Sequence, residues 1–125
     1  MPVSDPFLPY DTGMSERAMQ EPTLLLLTAL ADEPRHGYAI AREVETISAG
    51  RVKMRTGTLY GALERLLNEG LIEVHAEEVV DSRLRRTYTL TATGHETLAA
   101  EARRIAATAR EATRRLGVAG KPATA

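Results

Sequence analysis

The feature that most constrains this chain is a change of hydrophobic period at Gly70. Before it, Leu59, Leu63, Leu66 and Leu67 recur at i, i+4, i+7 and i+8, one narrow stripe of a helix. After it, Ile72, Val74 and Ala76 alternate with polar residues. Tyr88 and Leu90 do the same beyond the turn-like Asp81-Ser82-Arg83. A period near 3.6 and a period of 2 belong to different backbones. The switch therefore predicts a helix that ends at Gly70 and runs into a β-hairpin, with Thr56 as its candidate N-cap.

Two helices are predicted upstream. Pro22 suits a first turn, and Leu24, Leu25, Leu27, Leu30 and Ala31 form a broad apolar face that Pro34 closes. In "RHGYAIAREVETISAG", Tyr38, Ala41, Val44 and Ile47 are helically spaced, Ile40 widens the face and Gly50 is a natural stop. A fourth helix is predicted from Thr91 or Thr93 to about Leu116. The fold class is thus mainly α with a β-hairpin: a winged helix-turn-helix domain plus a C-terminal dimerisation helix. In such a pattern the first two helices brace the third, which enters the DNA major groove, while the hairpin tip reaches the backbone or minor groove beside it.

The 125 residues suffice for one small domain with its own core. The expected divisions are a flexible tail over 1–16, the winged helix over 17–91, the dimerisation helix over 92–116 and a second loose tail over 117–125. Pro2, Pro6, Pro9 and Gly13 break the first tail, and Met14 offers a second plausible start. No apolar run reaches the roughly 18 residues a membrane span needs, and the acidic, proline-broken start resembles neither a signal nor a transit peptide. A soluble, cytoplasmic protein is expected. Without cysteine there is no disulfide, no thiolate nucleophile and no cysteine-based zinc site.

The net charge of −1 hides a gradient. Residues 1–50 hold 3 basic and 8 acidic side chains, residues 51–91 hold 7 and 6, and residues 92–125 hold 6 and 3. Basic residues also cluster, as Arg51, Lys53 and Arg55 and again as Arg83, Arg85 and Arg86. Local clusters set the field that an anionic partner feels. Either knot by itself is compatible with an ordinary solvated surface.

On the third helix, Gly57, Gly61, Glu64, Arg65 and Asn68 lie opposite the leucine stripe, with Thr58 and Tyr60 on the flanks. The helix N-terminus offers free N–H groups to a phosphate, Thr56 and Thr58 add hydroxyls, and Lys53 and Arg55 add charge just before it. Gly57 and Gly61 each cost the helix roughly 1 kcal/mol against alanine. They remove bulk where the helix would approach another surface. Tyr60 and Arg65 are the side chains expected to reach a duplex, Arg65 to guanine or phosphate and Tyr60 to phosphate or a thymine methyl. The bland alternative is a surface helix whose Tyr60 lies against the core.

In the last helix Leu98, Ala102, Ile105, Ala109, Ala112 and Leu116 are spaced 4, 3, 4, 3 and 4, an a/d seam. Arg103, Arg104, Arg110, Arg114 and Arg115 lie off it, and Glu111 can pair with Arg114 or Arg115. The seam predicts a homodimer, part of it packing on its own domain.

His36, His75 and His95 are dispersed, so no converging metal ligands are expected, and His36 reads as a helix-start or packing residue. No nucleophile motif or phosphate-binding glycine loop is present, so neither a cofactor nor catalysis is expected. The competing interpretation is a winged-helix module that binds protein rather than DNA.

These segments together resemble the PadR family of bacterial transcriptional regulators, from about Thr23 to Glu111. The resemblance rests on "LTALADEPRHGYAIAREVE", on "GTLYGALERLLNEGLIE" and on "RLRRTYTLTATG", in that order. It implies a homodimeric repressor that binds an inverted-repeat DNA operator and is released by a small-molecule effector. It further implies Thr58, Tyr60 and Arg65 as recognition-helix residues and Arg83, Arg85 and Arg86 as wing residues. The chain departs from the family where Gly61 stands for proline, Ala76 for an aromatic, Asp81 and Ser82 for glycines, and Leu84 for proline. Glu77, Glu78 and Asp81 set negative charge beside the wing arginines. No effector site is legible: the candidate walls Met19, Leu24, Leu27, Leu98 and Ile105 read equally as core.

Overall fold

A computed structural model describes residues 18–117. The tail expected over 1–16 lies outside the described residues, as does the second tail beyond Gly117.

Helix α1 spans Glu21–Ala29, with Pro22 in its first turn. Leu25, Leu26, Leu27 and Leu30 are all buried, because α1 is packed on more than one side; Ala31, expected on its apolar face, is exposed. A two-residue strand β1, Arg35–His36, leads into α2, Gly37–Ile47. Arg35 fixes this corner: its Nε donates to the Ala29 carbonyl at 2.9 Å, and Asp32, Glu33 and Glu43 surround its guanidinium. Helix α3 is Thr56–Asn68, and the antiparallel strands β2 (Ile72–Val80) and β3 (Arg83–Leu90) form the wing. Helix α4 is Ala92–Leu116. The sheet order is β1-β3-β2, with Arg35 opposite Tyr88 and His36 opposite Thr87. This is a winged helix-turn-helix.

The core joins the α1 leucines to Ile40 and Val44 of α2, to Leu59, Leu63 and Leu66 of α3, and to Ile72 and Tyr88 of the sheet. The α3 stripe is as the spacing predicts. The α2 face is not: Ile40 and Val44 are wholly buried, whereas Tyr38 and Ile47 stand in solvent. The helix is rotated so that its i, i+4 pair meets α1, and the wider 3–3–3 series falls partly off the interface. In β2 only Ile72 is buried, since the hairpin runs out past the core, and a bulge between Val74 and Ala76 breaks the strict alternation.

The end of α3 and the start of α4 are locked together. Gly70, at φ +75°, closes α3, and its carbonyl accepts from the Thr91 hydroxyl at 2.6 Å. The same Thr91 oxygen accepts from Gly94 N–H at 2.9 Å and so caps α4. Gly94 must lack a side chain, because a Cβ there would overlap the Leu71 backbone, coming 2.9 Å from its carbonyl carbon. Among the described residues no helix is long and apolar enough to cross a membrane.

Candidate nucleic-acid interface

Helix α3 presents Thr56, Gly57, Thr58, Gly61, Glu64 and Arg65 to solvent. The cap position is Arg55, one residue before the Thr56 expected there, and no side chain caps it. The first ladder bond is Leu59 N–H to the Arg55 carbonyl at 2.8 Å. The N–H groups of the first turn are therefore aimed outward, where the helix dipole favours an anion. Nothing lies within 4 Å of where a Cβ would stand on Gly57 or Gly61, so neither glycine is required by packing within the chain.

The cations around that terminus differ. Arg51 is paired with Glu21 at the start of α1, and each raises the other's preference for the charged form. Lys53 lies 3.9 Å from Glu45. Arg55 is exposed and has no carboxylate partner among the described residues. Arg65 is half exposed but tied at its tip to α1: its Nη2 donates to Thr23 Oγ1 at 2.8 Å, and Glu69 is 3.5 Å away. Tyr60 is also committed at its tip. It lies so close over Gly37 that a Cβ there would come 2.6 Å from the Tyr60 Cζ atom. The tyrosine remains 46% exposed along its edge.

The wing turns on Asp81 and Ser82, at φ 54° and 65°. Both are left-handed, the geometry of a tight two-residue hairpin loop that favours Asn-Gly. Arg86 pairs with Glu77 at 2.9 Å, directly across the ladder, whereas Arg83 and Arg85 have no carboxylate within pairing distance among the described residues. Of the three acidic residues expected to weaken the wing, Glu77 alone forms an ion pair among the described residues, with Arg86. Glu77 raises the Arg86 pKa, and burial raises that of the Tyr88 hydroxyl beside it. Leu84 and Val79 face each other across the strands and are exposed.

Between the start of α2, the flank of α3 and the wing runs an open groove of about 720 Å³, bordered by His36, Tyr38, Tyr60, Arg83, Arg85 and Tyr88 among others. His36 Nδ1 accepts from Ala39 N–H at 3.3 Å and so starts α2. Its pKa is lowered, first by burial and then by the Arg85 charge, with Glu78 opposing. Of the residues expected at the site, the groove brings Tyr60 together with Arg83, Arg85 and Arg86. The exposed Thr56, Gly57, Thr58 and Gly61 lie on α3 and Lys53 and Arg55 just before it, and Arg65 is held toward α1 by Thr23. Tyr38 and Arg42 on α2 were missed by the sequence reading. Their i, i+4 spacing was the available signal, masked because Tyr38 also fits a helical apolar series.

Along α4, Leu98 packs against the core and Glu101 accepts from Met19 N–H at 3.3 Å. Beyond that point the seam is uncovered among the described residues: Ala102, Ala109 and Ala112 are exposed, Ile105 is 38% exposed and Leu116 75%.

Residues 26–100 match the transcriptional regulator PadR-like family. The chain belongs to that family. It is 36% identical over 88 residues to the transcriptional regulator Rv3488 of Mycobacterium tuberculosis, covering 70% of this chain and 78% of that protein. It is 41% identical over 83 residues to an uncharacterized 37.1 kDa protein of a Streptomyces fradiae transposon, TN4556; this match covers 66% of the chain and spans only 22% of that protein. Among solved structures, a PadR family transcription regulator of Clostridium difficile superposes with a TM-score of 0.62 at 20% identity, covering 78% of this chain and 98% of that one. Bacillus subtilis PadR in complex with operator DNA superposes with a TM-score of 0.56 at 21% identity, covering 63% and 46%. Both superpositions show the winged-helix fold.

Proposed function

We propose that the protein is a sequence-specific double-stranded DNA-binding repressor that acts as a homodimer on an inverted-repeat operator and is released by a small-molecule effector. The observation that carries the DNA part is the uncapped, outward-facing start of α3, lined by Thr56, Gly57 and Thr58. Arg55 stands on one side of it and the unpaired Arg83 and Arg85 across the groove. In this scheme residues 17–91 form the DNA-binding unit, and 92–116 the dimerisation helix through Leu98, Ala102, Ile105, Ala109, Ala112 and Leu116. Thr56, Gly57, Thr58 and Gly61 approach the major groove, Lys53 and Arg55 meet phosphate, and Arg83, Arg85 and Arg86 flank the duplex from the wing. Tyr60 contributes its exposed edge, and Arg65 joins only by leaving Thr23. That the structural neighbour from Bacillus subtilis is held in complex with operator DNA supports a DNA partner for this fold.

The test is a fluorescence anisotropy titration against DNA from upstream of the protein's own gene, at two salt concentrations. Tighter binding than to a scrambled duplex, weakening steeply with salt as counterions are released, is the expected result. Failure to bind any duplex would transfer the fold to a protein-interaction role.

A further inference from the structure

The two long side chains that the wheel of α3 offers to a duplex are engaged at home, Tyr60 over Gly37 and Arg65 on Thr23. One helix earlier the reverse holds. Ile40 and Val44 bury the inner face of α2 completely, so Tyr38 and Arg42, each two residues before one of them, project from the opposite face. Tyr38 is 67% exposed, a large ring with no core to fill. The Arg42 guanidinium sits 5.8 Å from the Tyr38 ring centroid, and the His36 ring stacks with Tyr38 at 6.4 Å and 10° between planes. Among the described residues Arg42 pairs with no carboxylate, although Glu43 and Glu45 are close in sequence and pair with Arg35 and Lys53 instead. Tyr38 also borders the groove shared by Tyr60 and the wing arginines, so the stack stands beside the Tyr60 flank of α3 and the wing.

We propose that Tyr38 and Arg42 form a phosphate clamp that holds the DNA backbone beside the recognition helix; this rests on the DNA-binding function proposed above. Stacking on the tyrosine fixes the plane of the guanidinium before binding, which reduces the rotamer freedom lost when it meets a phosphate. The Tyr38 hydroxyl supplies a neutral donor next to it. A backbone contact of this kind adds affinity and register without reading sequence. It also adds one cation to the counterion-release term.

The test uses the full chain, a duplex enriched from a random library by the wild-type protein, and a scrambled duplex, titrated across a range of salt. Arg42→Gln is expected to weaken both duplexes by the same factor, roughly tenfold. It should also flatten the log–log salt slope by about one per protomer, about two for the dimer complex. Arg42→Lys should keep the slope while losing part of the affinity, and Tyr38→Ala should approach the effect of Arg42→Gln because the platform is gone. Thermal melts of the variants check that these exposed substitutions leave the fold intact. If the wild type binds while Arg42→Gln keeps both its affinity and its slope, the clamp is wrong and the DNA-binding function stands. A loss confined to the enriched duplex also overturns the clamp, since it would mean a base contact. A wild-type protein that binds no duplex overturns both.

Discussion

His36 shows how a single side chain couples helix formation to the groove. Its Nδ1 is the acceptor that caps α2, so the ring works there only when that nitrogen carries no proton. Burial and the Arg85 charge already hold its pKa below the ordinary 6.5, with Glu78 pulling the other way. The unfolded chain therefore binds more protons than the folded one as pH falls through this range. The stability tied to His36 is fully present above about 6.5 and is lost as pH drops through the lowered folded-state value. The melting temperature should fall between pH ~7.5 and ~5.5, and fall less in His36→Asn, which can cap without titrating. Identical pH profiles for the two proteins would assign the acid sensitivity elsewhere. That His36 starts a helix was legible from the sequence, because it immediately precedes the helical spacing of α2. The fates of Tyr60 and Arg65 were not, because their partners Gly37 and Thr23 come from other helices.

At the scale of elements the wing is where local chemistry and geometry conflict. Asp81 and Ser82 both sit at positive φ, which is unfavourable for residues with a Cβ. Replacing them together by Asn-Gly fits the same turn without that strain and should stabilise the protein by about 1 kcal/mol, read as a higher denaturation midpoint at unchanged slope. No gain in midpoint would show that the wing opens outside the main cooperative transition. The hairpin itself was evident from the alternation, but its relation to the core was not. Alternation marks which residues share a face of a strand, whereas burial of that face depends on what lies over it, and past Ile72 no described residue buries β2. The α2 face was misplaced for a similar reason. Tyr38, Ala41, Val44 and Ile47 and the Ile40–Val44 pair both fit a helix, and only contact with α1 chose between them.

For the whole molecule the unresolved demand is the far half of α4. Twenty-five residues make a rod of about 37 Å. Among the described residues only its first turns meet the rest of the fold, leaving the alanine-rich seam exposed together with Ile105 and Leu116. Glu111 holds Arg114 and Arg115 within the helix, and its pKa is lowered by them. Glu101 and Glu111 thus take up Arg104, Arg114 and Arg115 along the rod, while Ala102, Ala109 and Ala112 stand exposed among the described residues, as the proposed homodimer requires. Ile105→Glu should give a monomer by sedimentation that retains its helical content and binds the enriched duplex at least tenfold more weakly, since dimerisation presents two half-sites at once. A dimer that persists in this variant would place the interface elsewhere.

What the sequence determined by itself was the order and kind of the elements. Period and turn residues act over a few neighbours, so the helix stripe at Leu59, Leu63 and Leu66, the stop at Gly70 and a start of α4 at Thr91 or Thr93 were readable in line, and the structure selects Thr91 as the cap. Only the tertiary structure decided which polar and aromatic side chains were left unoccupied. Arg65 is taken up by Thr23, Tyr60 by the space over Gly37 and Arg86 by Glu77, while Tyr38, Arg42, Arg55, Arg83 and Arg85 keep their functional ends outward. That division follows from contacts between distant segments, and a side chain's availability is set by those contacts rather than by its position on a helical wheel.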